Sequence, residues 1–278
     1  MENYHSHTEF CDGRASMSEM AKSAFEAGFQ EWGISPHSPI CCHSGANMKA
    51  ADMSAFLKES LRLKQLYEGK MRILTGMEID YVSDSFGPHT DYFKSLPLDY
   101  RIGSVHFVRT KDGKPVDVDG PAERFLQYLK SEYDGDIKYV AETYFKMELE
   151  MLELGGFDII GHLDKIGDNG SHAWKELEDQ GWYAELVEKV IANAVEKDVI
   201  IEINTKKFDT GHRFFPNERW WHLLKRYNAK LVVSTDAHYP DKVDAGYKLA
   251  IDRLDSYDMS CQLVKYPFCT ENLFANSQ

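Results

Sequence analysis

Short apolar runs alternate with longer amphipathic stretches along this chain. The short runs are rich in Ile, Val and Tyr and predict strands over residues 4–8, 31–35, 72–81, 100–108, 157–163, 199–205 and 230–235. In the longer stretches apolar positions recur every three or four residues, as Phe56, Leu57, Leu61 and Leu66 do. They predict helices over residues 17–28, 51–68, 121–133, 137–154, 174–196, 216–227 and 243–254. A serine precedes the first helix, Gly28 ends it, and Pro121 takes a first-turn position. Residues 83–99 and 167–173 read as long loops following strands. Strands that alternate with helices pair in parallel through right-handed crossovers. About seven such units predict an α/β fold with a closed or nearly closed (β/α) barrel, a doubly wound open sheet being the alternative. No linker, low-complexity tract or repeat interrupts the pattern, so one domain over residues 1–278 is expected.

Composition narrows the picture. With 278 residues, 43% of them apolar, the chain can bury one large core. No apolar run approaches the roughly 20 residues of a membrane span. The N-terminus is polar and lacks the basic start and apolar core of a signal peptide. Five cysteines, two of them adjacent and none in a CxxC pattern, suggest a reduced, cytoplasmic protein. A net charge of −13 argues against a nucleic-acid partner and leaves room for a small anionic substrate, because bound cations reverse the local sign of an acidic pocket. Oligomeric state is left open.

The chemistry gathers at the strand ends. Side chains at i and i+2 of a strand share a face. Strand one ends with His5 and His7, and Asp12 follows. His37 comes just after strand two, in GISPHSP. Glu78 and Asp80 end strand three, and His106 lies in strand four. His162 and Asp164 end strand five, Glu202 and Asn204 strand six, and Asp236 and His238 strand seven. In a parallel barrel these ends meet at one mouth, which brings together pairs from opposite ends of the chain. A single strand histidine is more often packed than ligating, but the ordered set is a metal-ligand pattern suited to Zn, Mn or Fe. The ligands are too many for one ion, so two or three divalent ions are expected.

The segments HSHTEFCDG, GISPHSP, GMEID, GSVHF, FDIIGHLDK, IEINT and STDAH, in that order, resemble the PHP (polymerase and histidinol phosphatase) superfamily. Within it the chain looks most like the stand-alone histidinol-phosphate phosphatases. The likeness runs from His5 to about Gly246. It implies a distorted (β/α)7 TIM-like barrel and a trinuclear site. On that likeness His5, His7, Glu78 and Asp236 would hold one metal, and Asp12, His37 and His238 a second. Glu78 would bridge to a third held by His106 and His162. Asp12 stands where many members of the family have histidine, and Pro36 where an acidic residue is frequent.

The expected reaction is hydrolysis of a small phosphorylated substrate, L-histidinol phosphate in histidine biosynthesis, by in-line attack of a metal-bridging hydroxide. His43 and Asp164 are the candidate proton donors to the leaving alkoxide, and Arg213 and Lys165 the candidate contacts to phosphate. Arg109 and Lys114 read as solvated side chains. His89, His172 and His212 read as loop residues and His222 as a helix residue. Of the adjacent Trp220 and Trp221, at most one is expected to face the core. A phosphoesterase acting on nucleotides is the nearest rival. A metal-dependent amidohydrolase would want a bridging lysine at a strand end, which is missing, and a catalytically dead module would lack ligands.

Overall fold

A computed structural model describes residues 1–42 and 44–268. Ten strands occur among the described residues: β1 (Glu2–Asn3), β2 (Glu31–Ile34), β3 (Arg72–Thr75), β4 (Glu78–Asp80), β5 (Ile102–Ser104), β6 (Phe107–Arg109), β7 (Pro115–Asp117), β8 (Ile159–Ile160), β9 (Ile200–Asn204) and β10 (Leu231–Ser234). Two parallel sheets run in the orders β1-β2-β3 and β10-β9-β8-β5-β4, and β6-β7 is an antiparallel hairpin. β3 and β4 are halves of one stave, interrupted at Gly76–Met77. Across the break the Gly76 amide still donates to the Ile34 carbonyl (2.8 Å) and the Glu78 amide to that of Pro36 (3.1 Å). Single parallel bridges, Ser6 to Ala237 and His37 to Glu78, join the two sheets. The seven staves thus form a distorted (β/α)7 barrel in which single bridges at two seams replace a continuous ladder.

Several boundaries differ from the sequence expectation, each for a tertiary reason. The first strand is regular only at Glu2 and Asn3, where it pairs with β2; farther along, the Ser6 carbonyl accepts the Ser35 amide on that side and Ser6 forms a single bridge to Ala237 on the other. The fourth breaks after Ser104 and continues as β6, which leaves the ring to pair with β7. Residues 167–173 are not a loop: Ile166–Ala173 is a helix, and His172 lies on it. Its glycines lower helix propensity, but they let the helix approach closely. A Cβ on Gly170 would meet Leu177, and one on Gly167 would meet Glu178, Tyr183 and Arg213. The span 174–196 divides into a 3-10 turn at Leu177–Asp179 and a helix at Gly181–Glu196. Trp220 and Trp221 are both buried, because the first closes a 3-10 turn and the second opens the helix Trp221–Arg226.

Local chemistry sets the helix starts. Ser16 and Glu19 cap Met17–Glu26 reciprocally, the Glu19 amide donating to Ser16 Oγ and the Ser16 amide to Glu19 Oε2. Asp136 accepts from the Tyr139 amide at the head of Ile137–Leu154.

The core has two parts. One lies between the staves and the surrounding helices. The other fills the floor of the barrel with Tyr4, Leu74, Tyr100, Ile102, Ile159, Ile200 and Val232, and Val264, Tyr266 and Phe268 pack on it from below. Tyr100 donates its hydroxyl to the Tyr4 carbonyl across the floor. Gly33 and Gly76 face its ring and hydroxyl so closely that a Cβ on either would clash.

Gly76→Ala is therefore expected to lower stability by about 1–3 kcal/mol through overpacking of a fixed aromatic, read as a fall in the urea midpoint. Glu148 on Ile137–Leu154 is fully buried, and burial pushes its carboxyl well above its ordinary range despite the Tyr144 hydroxyl nearby. A raised folded-state pKa means stability is fully present below the unfolded value of 4.5 and is lost as pH rises above it. Glu148→Gln should remove that loss. Its melting temperature should exceed that of the parent at pH 8 by more than at pH 5.

Candidate metal centre

The Glu78 carboxylate is the centre of the site. It opens β4 at the barrel mouth and is 1% exposed. Its Oε2 lies 3.1 Å from His5 Nε2, 3.5 Å from His7 Nε2 and 2.9 Å from His37 Nδ1. Its Oε1 lies 3.0 Å from His162 Nε2 and 3.3 Å from His106 Nε2. Five imidazoles from four strand ends, two of them from the first, converge on one carboxylate. On the first side Asp236 Oδ1 stands 2.9 Å from His7 Nε2, and Asp12 Oδ1 stands 3.2 Å from His238 Nε2 and 3.8 Å from His37 Nε2. His162 and Asp236 take left-handed backbone angles, with φ of 22° and 48°. Non-glycine residues reach that region at a cost of about 1–2 kcal/mol, and here it accompanies side chains turned from the strand into the cluster.

Whether these residues suit metal ions can be tested on their unused atoms. His5 Nε2, His7 Nε2, Asp12 Oδ1, His37 Nδ1 and Glu78 Oε2 are buried without a hydrogen-bond partner. A buried polar atom left so costs about 1–3 kcal/mol, and these five face one another. The nitrogens of His106 and His162 also point at each other, 3.2 Å apart. Among the described residues, ligand atoms within 4.8 Å of one another form four groups: His7, Asp12, His37 and His238; His5, His7 and Glu78; His37, Asp80 and His106; Glu78, His106 and His162. Shared members merge them into one nitrogen-and-oxygen cluster, a donor set that suits Zn, Mn or Fe. The residues fit more than one divalent ion.

A second ring of carboxylates orients the imidazoles. Glu202 Oε1 lies 2.8 Å from His5 Nδ1, while Oε2 accepts the His162 amide and the Asn204 side chain, each at 3.0 Å. Asp80 Oδ1 lies 2.8 Å from His106 Nδ1, and its Oδ2 accepts from Asn47. A carboxylate on one ring nitrogen fixes the tautomer that presents the other. The i, i+2 spacing had placed Asp80 and Glu202 on the site-facing side but not assigned them this work. Burial works against protonated His5, yet Glu202, Glu78 and Asp236 outweigh it and hold its pKa well above ordinary. Burial lowers that of His7, and His238 and His37 lower it further. Burial opposes ionised Glu78, but His5, His37 and His106 hold its carboxyl well below its usual range.

All nine residues expected as ligands, His5, His7, Asp12, His37, Glu78, His106, His162, Asp236 and His238, meet at this mouth. Lys165 stands beside them with Nζ 2.9 Å from Asp119 Oδ2. Both lysine and aspartate line a cavity of about 540 Å³ that also touches Asp12, Lys206, Asp236 and His238. The other expectations fare differently. Asp164 is sealed from solvent, and its Oδ2 accepts from Arg213 (3.0 Å) and the Asn217 amide (2.8 Å). Arg213 spends its guanidinium on Asp164 and, through two 2.9 Å bonds, on Glu178. Neither lines the cavity. In this structure the two opposite charges are satisfied by each other, by the Asn217 amide and by Glu178. His43 lies outside the described residues. His222 is on a helix, while His89 and His212 are in irregular segments, and none of the three joins the cluster.

The PHP domain profile matches residues 3–206. A Schizosaccharomyces pombe protein named "Probable histidinol-phosphatase" is 26% identical over 95% of this chain and 89% of its own length. Among solved structures, the hisK protein of Listeria monocytogenes superposes with a TM-score of 0.78, at 20% identity over 90% of this chain and 99% of that one. The histidinol phosphate phosphatase of Lactococcus lactis, solved with zinc, L-histidinol and phosphate, gives 0.64 at 20% identity over 94% and 93%. At that identity the two structures speak to the fold.

Glu202→Gln keeps the shape of the side chain but removes the charge that orients His5. Metal affinity should fall about 10–100-fold in a chelator competition, with the far-ultraviolet circular dichroism unchanged.

Proposed function

The chain belongs to the PHP domain family, and from that premise we propose that it is a metal-dependent phosphomonoesterase that hydrolyses L-histidinol phosphate to L-histidinol and phosphate. The observation that carries this reading is the Glu78-centred cluster, whose Asp12, Asp236 and His238 open onto a cavity lined by both lysines and aspartates. Divalent ions held by the cluster would give this acidic mouth the positive charge that a phosphate dianion needs.

We assign His5, His7, Asp12, His37, Glu78, His106, His162, Asp236 and His238 to holding two or three divalent ions. When bound, such ions supply a nucleophile from water at neutral pH and positive charge for the phosphoryl oxygens. The chain does the rest. Glu202 and Asp80 keep the imidazoles in the tautomers that face the centre. Lys165, fixed by Asp119, adds positive charge to the cavity wall on the substrate's side. Arg213 locks Asp164, Glu178 and, through Asp164, the Asn217 backbone, tying the segment after β9 to the one that carries His162. This holds the mouth in shape while the substrate exchanges. A cytoplasmic setting agrees with the free Cys11, Cys41, Cys42 and Cys261. No helix among the described residues is long and apolar enough to cross a membrane.

Phosphate release from L-histidinol phosphate, nucleoside monophosphates and p-nitrophenyl phosphate tests the proposal. Protein stripped with chelator should be inactive. Mn, Zn or Fe should restore a rate that is far higher on L-histidinol phosphate than on the others. A uniformly low rate would remove the substrate assignment, and no release with any metal would remove the reaction class.

A further inference from the structure

The cavity beside the cluster is bordered by five cationic residues: Arg14, Lys165, Lys206, Lys207 and Lys242. Three of the lysines are committed elsewhere. Lys165 pairs with Asp119 at 2.9 Å, Lys207 with Asp168 at 3.0 Å and Lys242 with Asp209 at 2.9 Å. Arg14 is exposed at the rim. Lys206 differs. Its Nζ lies 3.3 Å from Asp236 Oδ1 and 3.3 Å from His238 Nε2, so its ion-pair partner is itself a member of the proposed ligand set.

Its position is held from behind. The Lys206 amide donates to Asn204 Oδ1 at 3.0 Å, and the Asn204 side-chain nitrogen bonds both Glu202 and Asp236. The side chain therefore leaves the end of β9 from the network that orients the cluster. Lys206 also borders the smaller neighbouring cavity together with His37 and His106, so it stands where the spaces over the two sides of the cluster meet. Its side chain is 30% exposed, and the ammonium can turn from Asp236 toward a ligand in the cavity at little cost in burial.

We propose that Lys206 is a phosphate-binding catalytic residue, whose ammonium takes a phosphoryl oxygen of the substrate on the side facing the cavity. The inference rests on the phosphomonoesterase reading above and adds to it a residue that neither the motif order nor the strand spacing singles out. In a phosphoryl-transfer transition state negative charge is spread over the three non-bridging oxygens, and a fixed ammonium beside one of them stabilises that charge during turnover as well as binding. Lysine suits this place because a point charge on a long stem can follow the oxygen as phosphorus moves between attacking and leaving groups.

Lys206→Met and Lys206→Arg in the metal-loaded full chain test it, with four readouts: bound metal per chain, the dissociation constant of inorganic phosphate by calorimetry, kcat and KM. The methionine variant should keep its metal content and melting temperature, bind phosphate about ten- to a hundredfold more weakly, and lose at least as much in kcat/KM. The arginine variant should recover most of the phosphate affinity. Unchanged phosphate affinity in Lys206→Met would overturn the proposal. So would loss of metal from that variant, since Lys206 would then be part of the scaffold. If the parent binds phosphate with Lys206-dependent affinity but does not hydrolyse L-histidinol phosphate, the substrate assignment fails and the role of Lys206 stands. A parent that binds no phosphate overturns this role directly.

Discussion

A buried carboxylate facing five imidazoles is the constraint around which the molecule is arranged. Glu78 is sealed from solvent, and neither of its oxygens can be left as an isolated charge in so dry a place. The histidines around it come from residues 5, 7, 37, 106 and 162, and no local element can bring such distant positions within 4 Å of one group. Converging parallel strand ends can. The geometry also accounts for the two seams of the barrel. His7 lies at one, beside the Ser6–Ala237 bridge, and His37 at the other, where it pairs with Glu78. Regular pairing gives way where side chains must turn inward.

The site is costly to maintain, and the rest of the fold offsets that cost. Left-handed backbone at His162 and Asp236 and the burial of so many ionisable groups destabilise the mouth. Beneath it the interior changes character within a few residues along each stave. Tyr4 precedes His5, Ile102 and Ile200 lie on the same staves as the mouth, and the floor they form is apolar and tightly filled. Close packing of Tyr100 against Gly33 and Gly76 leaves the floor little freedom. A rigid base under a strained polar mouth is the usual requirement for holding several ligands within tenths of an ångström.

Charge is organised by distance from this centre. The chain carries −13 overall, and the carboxylates nearest the cluster are matched by imidazoles. Farther out, the cavity wall presents lysines paired with aspartates, which keeps positive charge near the mouth without leaving it unbalanced. Deeper on one side, Asp164, Arg213 and Glu178 form a buried triad. Opposite charges there are worth most as fixed geometry, since the desolvation cost cancels much of their attraction.

How much of this could be read from the chain follows from the range of each interaction. Strand periodicity is a local property with a period of two, so the staves, their order and the inward-facing pairs His5 and His7, Glu78 and Asp80, Asp236 and His238 were legible from residue order alone. The barrel arithmetic then put those pairs together. The helix Ile166–Ala173 was not legible, because its glycines weaken the local signal and only the close approach of Leu177 and Tyr183 explains them. Nor was the burial of both Trp220 and Trp221, which depends on a change of helix type between them. The long charged side chains were the least legible. Lys165, Lys206 and Arg213 each reach several ångströms from their own backbone, and what they meet is set by elements distant in sequence. The amino-acid sequence by itself determined which residues stand at the mouth, because a strand fixes the face on which each side chain emerges. Only the tertiary structure decided that Arg213 turns to Asp164 and Lys206 to Asp236, because a flexible side chain goes to the charge that folding places within its reach.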